Sequence, residues 1–143
     1  MANLAFRIVG GLHRGVYRLT GGKVGGKIGK APVLLLTTTG RKSGAERVSS
    51  LTYLQDGDDQ VVVASKGGSP APPAWLLNLQ AKPEVKVQIG RKSHPAKARV
   101  IGGDDPDYAR LWEGANKLNG GRYAEYQSWT DREIKLVVLS PAG

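Results

Sequence analysis

Residues 32–65 read PVLLLTTTGRKSGAERVSSLTYLQDGDDQVVVAS, and the architecture turns on this stretch. PVLLLTTT (32–39) is a short apolar and β-branched run, the pattern of a buried strand. GRKSG (40–44) is a tight turn. ERVSSLTYLQ (46–55) is a second strand, Asp56-Gly57 marks a second reversal, and QVVVAS (60–65) is a third strand. Three strands joined by two hairpin signals predict an antiparallel meander, not the alternation of strand and helix that a Rossmann sheet needs.

Toward the C-terminus, KGGSPAPP (66–73) is a loop stiffened by Pro70, Pro72 and Pro73. AWLLNLQA (74–81) predicts a short helix that ends before Pro83. EVKVQIG (84–90) alternates, with Val85, Val87 and Ile89 on one face and Lys86 and Gln88 on the other. KSHPAKARVIG (92–102) is its partner strand across the Gly90-Arg91-Lys92 turn. DPDYARLWEGANKL (105–118) reads as a helix with Asp at its start, where the helix dipole favours it. RYAEYQSW (122–129) is a second helical piece and EIKLVVLS (133–140) a final strand. The expected fold class is mainly β with added helices, an antiparallel β-barrel.

Toward the N-terminus the character changes. TGGKVGGKIGKA (20–31) is a Gly/Lys linker. Gly21, four residues, then Gly26-Lys27 has the spacing of a phosphate-binding loop. Ile28 stands where Ser or Thr should hold magnesium, however, and no strand precedes, so that reading is rejected. Residues 3–19 read as an amphipathic helix, with Leu4, Ile8, Val9, Leu12, Val16 and Leu19 on one side and Arg7, Arg14 and Arg18 on the other. Two uses stand open for it: packing on its own domain, or lying on an anionic membrane surface through residues 1–30. The expected organisation is a basic helix and linker over 1–31 and one barrel domain over 32–143.

Composition excludes several function classes. Cysteine is absent and only His13 and His94 supply imidazole, so disulfides, thiol nucleophiles and Cys- or multi-His metal sites are excluded. No apolar run reaches membrane-spanning length. The arginines in residues 1–20 break any secretory signal, so the expected location is cytoplasmic, with attachment to the inner membrane face as an option. The net charge of +9 is local: residues 1–45 hold eight basic residues and no acid, and the rest is close to neutral. Local excess calls for a local anionic partner. Nucleic acid is not the expected one, because aromatics make up only 6 % and cluster late in the chain, away from the basic strands.

The usual catalytic motifs are missing. No Ser-x-x-Lys or Gly-x-Ser-x-Gly occurs, and the paired carboxylates Asp58-Asp59 and Asp104-Asp105 sit in turns. An enzyme built from these residues needs an organic cofactor. Two segments suit anions: Gly40-Arg41-Lys42-Ser43-Gly44 with Arg47 beyond it, and Ala64-Ser65-Lys66-Gly67-Gly68. Both flank adjacent strands of one meander, so they can converge. Trp75 either supplies a flat apolar wall beside them or packs in the core.

Taken with YAEYQSWTDREIKLVVL (123–139), residues 32–141 resemble the deazaflavin (F420)-dependent nitroreductase family, F420H2-dependent reductases on a split β-barrel shared with FMN-binding flavoproteins. The pieces TTGRKSG, ASKGG, Trp75 with Asn78, and YxxYQxWTDR carry the resemblance in combination. It implies coenzyme F420, a flat deazaflavin with a phosphate and an acidic oligoglutamate tail. By that resemblance Arg41, Lys42 and Arg47 meet the phosphate and tail, with Ser43 as a hydroxyl donor. Val48, Ser49, Ser50, Leu51 and Thr52 run along the ring's edge. Val63, Ala64, Ser65 and Lys66 meet the cofactor, and Ala74, Trp75, Leu76, Leu77 and Asn78 close the pocket. Tyr123 and Tyr126 lie over the ring on the substrate side. The implied reaction passes a hydride to an electron-poor small molecule, with Tyr126, Tyr123 or Ser65 as candidate catalytic donors and Tyr126 preferred.

The chain departs from the resemblance at Ser50, where many relatives carry Pro, at Thr52, where many carry an aromatic, and at Gly120, where nitroimidazole reducers carry a bulky aromatic. Smaller side chains imply a roomier pocket. That favours quinones or α,β-unsaturated lactones such as coumarins and furanocoumarins over nitroaromatics. FMN or haem on the same fold is the alternative, with FMN disfavoured because its shorter tail needs fewer cations. A basic nucleic-acid-binding barrel is the other alternative. Such barrels often pair, which makes a homodimer one option.

Overall fold

The computed structural model describes residues 27–28 and 31–142. The amphipathic helix expected over 3–19, its proposed membrane contact and most of the linker expected over 20–31 lie outside the described residues.

The strands are β1 (Lys27–Ile28), β2 (Ala31–Thr39), β3 (Glu46–Thr52), β4 (Leu54–Asp56), β5 (Asp59–Val63), β6 (Glu84–Ile89), β7 (Lys92–Ile101) and β8 (Leu136–Pro141). The helices are α1 (Ala74–Ala81), α2 (Tyr108–Leu118) and α3 (Arg122–Ser128), and a short 3₁₀ turn spans Lys66–Gly68. The expected linker thus ends inside the sheet, since β1 pairs with Ala31 and Pro32 at the start of β2.

Every strand pairing is antiparallel, in the order β3-β2-β6-β7-β8-β5-β4. The two ends of that order, β3 and β4, are consecutive in the chain and separated by Tyr53 alone. One stretch of backbone therefore serves both edges, and the sheet must curl until those edges meet. This corrects the single strand expected over 46–55: it breaks at Tyr53, whose N–H makes a last bond to β2, at the Pro32 carbonyl (3.0 Å), while Pro32 has no N–H to return.

Alternation then sorts the core into two compartments. Leu34, Leu36, Val62, Ala64, Val85, Val87, Val137 and Leu139 point into the barrel, where Trp75, Leu76 and Leu79 of α1 plug it. Val61, Val63, Leu136 and Val138 point the other way, against Leu111 and Ala115 of α2, Tyr123 of α3 and Ile134. β5 and β8 are covered on both faces, which is why QVVV and LVVL read as unbroken apolar runs. Among the described residues no helix is long and apolar enough to cross a membrane.

Two boundaries differ from expectation for local reasons. α2 starts at Tyr108, not 105, because the Asp105 carboxylate accepts the Asp107 N–H at 2.9 Å and holds a turn there. β8 starts at Leu136, not 133. The Ile134 N–H is taken by the Gln127 side chain at 2.9 Å and its carbonyl by the Tyr108 hydroxyl, so neither can ladder.

The half-buried Tyr108 hydroxyl yields a pH prediction. Burial, and secondarily the Glu133 carboxylate, push its phenol up to about 12. The folded value lies above the unfolded value of about 10. Its contribution to stability is therefore intact below pH 10 and is lost as pH rises through about 12. The urea midpoint of the parent falls across that window, and Tyr108→Phe flattens the fall.

Candidate active site

The β2–β3 connection, residues 40–45, is closed on itself. The Gly40 N–H donates to the Ala45 carbonyl at 2.7 Å and the Gly44 N–H to the Gly40 carbonyl at 2.8 Å. Ser43, expected as a donor to phosphate, uses its Oγ to accept the Ala45 N–H at 3.2 Å, which leaves its own proton to donate. Asn78 of α1 reaches this turn from below. Its Oδ1 accepts from the Arg41 N–H at 3.2 Å and from Arg41 Nη1 at 3.1 Å, and its Nδ2 donates to the buried Thr38 hydroxyl at 3.2 Å. The Asn78 amide is thus spent on aiming Arg41.

Beside the turn lies an open cleft of about 280 Å³ lined by Gly40 to Ser43, Arg47, Ser49, Ala74, Trp75 and Asn78. Arg41, Lys42 and Arg47 are exposed, and among the described residues no carboxylate pairs with any of them. Three unneutralised cations in a concave site beside an indole make an anion trap with an apolar wall.

The expected run Val48–Thr52 is divided between two faces by its register with β2. Ser49, opposite Leu36, shares the cleft face with Arg47, and Leu51, opposite Leu34, continues that face into the barrel core. Val48, Ser50 and Thr52 face the other way, with Val48 packed on Val33 and Leu35. Of the α1 residues, Ala74, Trp75 and Asn78 reach the cleft, whereas Leu76 is buried in the barrel and Leu77 is half-buried outside the lining.

The second anion segment follows β5. Val63 points to the helix side and lines a small crevice with Thr52 and Tyr123 that shares no residue with the basic cleft. Ala64 points inward to the cluster that holds Trp75, which joins this segment to the cleft wall. Lys66, Gly67 and Gly68 then take three left-handed conformations in a row, with φ of 43°, 62° and 78°. Lys66 is the one non-glycine residue in the described chain with positive φ, a strain of order 1–2 kcal/mol that the surroundings must impose. A Cβ on Gly68 would sit 2.6 Å from the Tyr126 carbonyl oxygen, so this loop and α3 touch backbone to backbone.

The two tyrosines separate. Tyr123 is buried and its hydroxyl shares a 2.8 Å hydrogen bond with Thr52 Oγ1. Burial raises its phenol above the ordinary range, so it stays protonated at neutral pH. Tyr126 is half-buried, edge-on to Tyr123 at 6.2 Å and tilted against the exposed Trp129 at 5.6 Å, and its hydroxyl has no hydrogen-bond partner among the described residues. Of these two, Tyr126 is the one whose phenolic proton has no partner among the described residues.

Sequence reading missed Arg132. Its guanidinium donates to the carbonyls of Ala64 (3.0 Å), Ser65 (3.0 Å) and Ser69 (3.1 and 3.3 Å). It closes the motif YxxYQxWTDR, but flanked by Asp131 and Glu133 it reads as part of a solvated, charged turn.

The family model for the F420H2-dependent quinone reductases matches residues 11–141. An F420H2-dependent quinone reductase of Mycobacterium tuberculosis is 48 % identical over 130 residues, which cover 90 % of this chain and 87 % of that protein. The chain belongs to the F420H2-dependent quinone reductase family. Among solved structures, an F420H2-dependent reductase, FDR-A, is 39 % identical with a TM-score of 0.68, over 76 % of this chain and 94 % of that one. A second, a domain-swapped dimer, is 36 % identical with a TM-score of 0.70, over 89 % and 94 % of the two chains. The curled antiparallel sheet is thus the split barrel of this family. The chain is an F420H2-dependent oxidoreductase with coenzyme F420 as its cofactor. The family match begins at residue 11, so it includes most of the segment that sequence reading set apart as residues 1–31.

Proposed function

We propose that the chain reduces quinones and related electron-poor small molecules, with the cleft at Arg41, Lys42 and Arg47 gripping the acidic end of F420. One observation supports this most: three cations left without carboxylate partners beside Trp75 fit a molecule that is flat at one end and many times negative at the other. When bound, reduced F420 supplies a hydride to the acceptor. The protein's residues hold and exclude. Arg41 is aimed by Asn78, and Ser43 and Ser49 offer hydroxyls along the same face. Ser65 and Lys66 present backbone and ammonium groups from the left-handed turn. Tyr126 is the preferred proton donor, because its hydroxyl is free, whereas that of Tyr123 is engaged by Thr52.

Quinones are the first acceptor class by family membership. Enone lactones of the coumarin and furanocoumarin type are the second, and nitroaromatics the third. A Cβ at Gly120 would meet open space, which agrees with a roomy substrate side, although its φ of 65° gives the glycine a backbone reason as well. The location is cytoplasmic, peripheral attachment through residues 1–30 is tested with anionic vesicles, and a homodimer rests on the domain-swapped relative.

Reduced F420 mixed with a quinone, a coumarin and a nitroimidazole in turn tests the ranking. The quinone is expected to oxidise the cofactor fastest; oxidation by none of the three rejects the function. In Tyr126→Phe the stopped-flow hydride step is expected to slow about 100-fold or more, the usual worth of a positioned proton donor. An unchanged step rules the hydroxyl out.

A further inference from the structure

Arg132 lies on the segment between α3 and β8, yet all four of its side-chain bonds reach back more than 60 residues to the loop after β5. Among the described residues no carboxylate pairs with it; Glu133, its neighbour, is taken by Lys135. A half-buried guanidinium with no acid partner and every nitrogen spent on carbonyl oxygens holds backbone in place.

The geometry of a peptide bond says what it holds. The peptides of the described residues are trans, so each C=O points opposite the N–H of the next residue. With the Ala64 and Ser65 carbonyls drawn onto Arg132, the N–H groups of Ser65 and Lys66 face the opposite side. Ser65 is right-handed (φ −82°, ψ −39°) and Lys66 left-handed, the conformational pair that turns successive N–H groups into an anion-binding concavity. The same turn is pressed on Tyr126 through Gly68. Arg132 is itself pinned by α3, since Gln127 Nε2 donates to the Arg132 carbonyl at 2.8 Å.

We propose that Arg132 is a positioning residue: by gathering the Ala64, Ser65 and Ser69 carbonyls it aims the Ser65 and Lys66 amides at the electron-rich edge of the F420 ring and fixes that edge relative to Tyr126. This rests on the proposed cofactor cleft and adds the device that registers the ring, as distinct from the tail, against the substrate side.

The test uses Arg132→Ala, Arg132→Lys and Gly68→Ala in the full chain. The first readout needs no cofactor. The Gly68 and Ser69 N–H groups donate within the loop, to the Ser65 and Lys66 carbonyls. Their hydrogen exchange is expected to quicken about 10-fold or more in Arg132→Ala, with β5 and β8 amides unchanged, and to be partly restored in Arg132→Lys. The second compares F420 with the deazaflavin nucleus lacking phosphate and tail. F420 affinity is expected to stay within about 3-fold of the parent, because the cleft still grips the tail, while the nucleus alone loses about 10-fold. The third is single-turnover oxidation of F420H2 by menadione at saturating cofactor, expected to slow about 10- to 100-fold from misregistration.

Gly68→Ala disturbs the same loop without touching Arg132 and is expected to reproduce the last two effects, so misfolding of Arg132→Ala leaves the proposal open to refutation. Parent-like single-turnover rates in Gly68→Ala and in every folded Arg132 variant overturn it. So does a defect that vanishes at saturating cofactor. If the parent itself fails to bind F420, the cleft reading falls and takes this proposal with it. If the parent binds and the variants match it, only the role of Arg132 falls.

Discussion

Replacing Arg41, Lys42 and Arg47 together with glutamine is expected to weaken F420 binding about 100-fold or more while leaving the fold intact. All three side chains are exposed and none has a carboxylate partner among the described residues, so removing them breaks no ion pair of the protein itself. Their charge acts on the ligand alone. The parent's affinity should fall steeply with added salt, whereas that of the triple variant should respond weakly, because exposed charge pairs are screened. Titration by fluorescence or calorimetry reads both effects. The deazaflavin nucleus without its tail is the internal control and should bind parent and variant alike. FMN, with one phosphate and no acidic tail, should lose less than F420. Equal affinity of parent and triple variant for F420 would falsify the cleft as the tail site.

Asn78→Ala is expected to damage stability and binding at once. The Asn78 side chain is 4 % exposed and the Thr38 hydroxyl it serves is on a residue 1 % exposed. Truncation leaves the buried Thr38 hydroxyl without its partner, at about 1–3 kcal/mol, and also removes the acceptor of the part-buried Arg41 N–H. A melting temperature lower by roughly 10 °C follows for a chain of this size. F420 affinity should fall about 10-fold as well, because Arg41 loses the acceptor that holds it over the cleft. Asn78→Asp separates the two effects. Its carboxylate can still accept from Arg41 and from the Thr38 hydroxyl, so thermal stability should exceed that of the Ala variant. It also neutralises Arg41, so binding of a polyanion should weaken at least as much. Full F420 affinity in Asn78→Ala would show that the aim of Arg41 is irrelevant, and full affinity in a stable Asn78→Asp that its charge is.

How far these outcomes were legible from sequence differs residue by residue. The cations of the GRKSG turn announce themselves, because a hairpin turn is exposed wherever its strands go, and charge on it faces solvent or ligand. The same holds for the alternating strand 84–89 and its partner 92–101, whose period of two assigns faces without reference to anything distant. Asn78 was visible as a site residue through family resemblance, but its use was not. An amide in an apolar helix signals that a partner exists; only the packing of α1 on β2 shows that the partners are Arg41 and Thr38, 37 and 40 residues away. Tyr123 and Tyr126 look equivalent in YAEY, and the fold makes them different by setting Thr52 opposite one hydroxyl and solvent opposite the other.

By itself, then, the chain's order of residues determined that there would be an antiparallel sheet built from hairpins, a short helix ending before Pro83, and a basic turn able to hold an anion. These are consequences of local periodicity, turn chemistry and charge, which act over a few residues. Tertiary structure alone decided the rest: that the strand expected over 46–55 breaks at Tyr53 to close the barrel, that Val48 to Thr52 divide between two faces, and that Arg132 governs a loop 67 residues before it. The physical reason is that a hydrogen-bonding group specifies its need for a partner but not the partner's identity, which is settled only when the curl of the sheet brings distant segments within 3 Å.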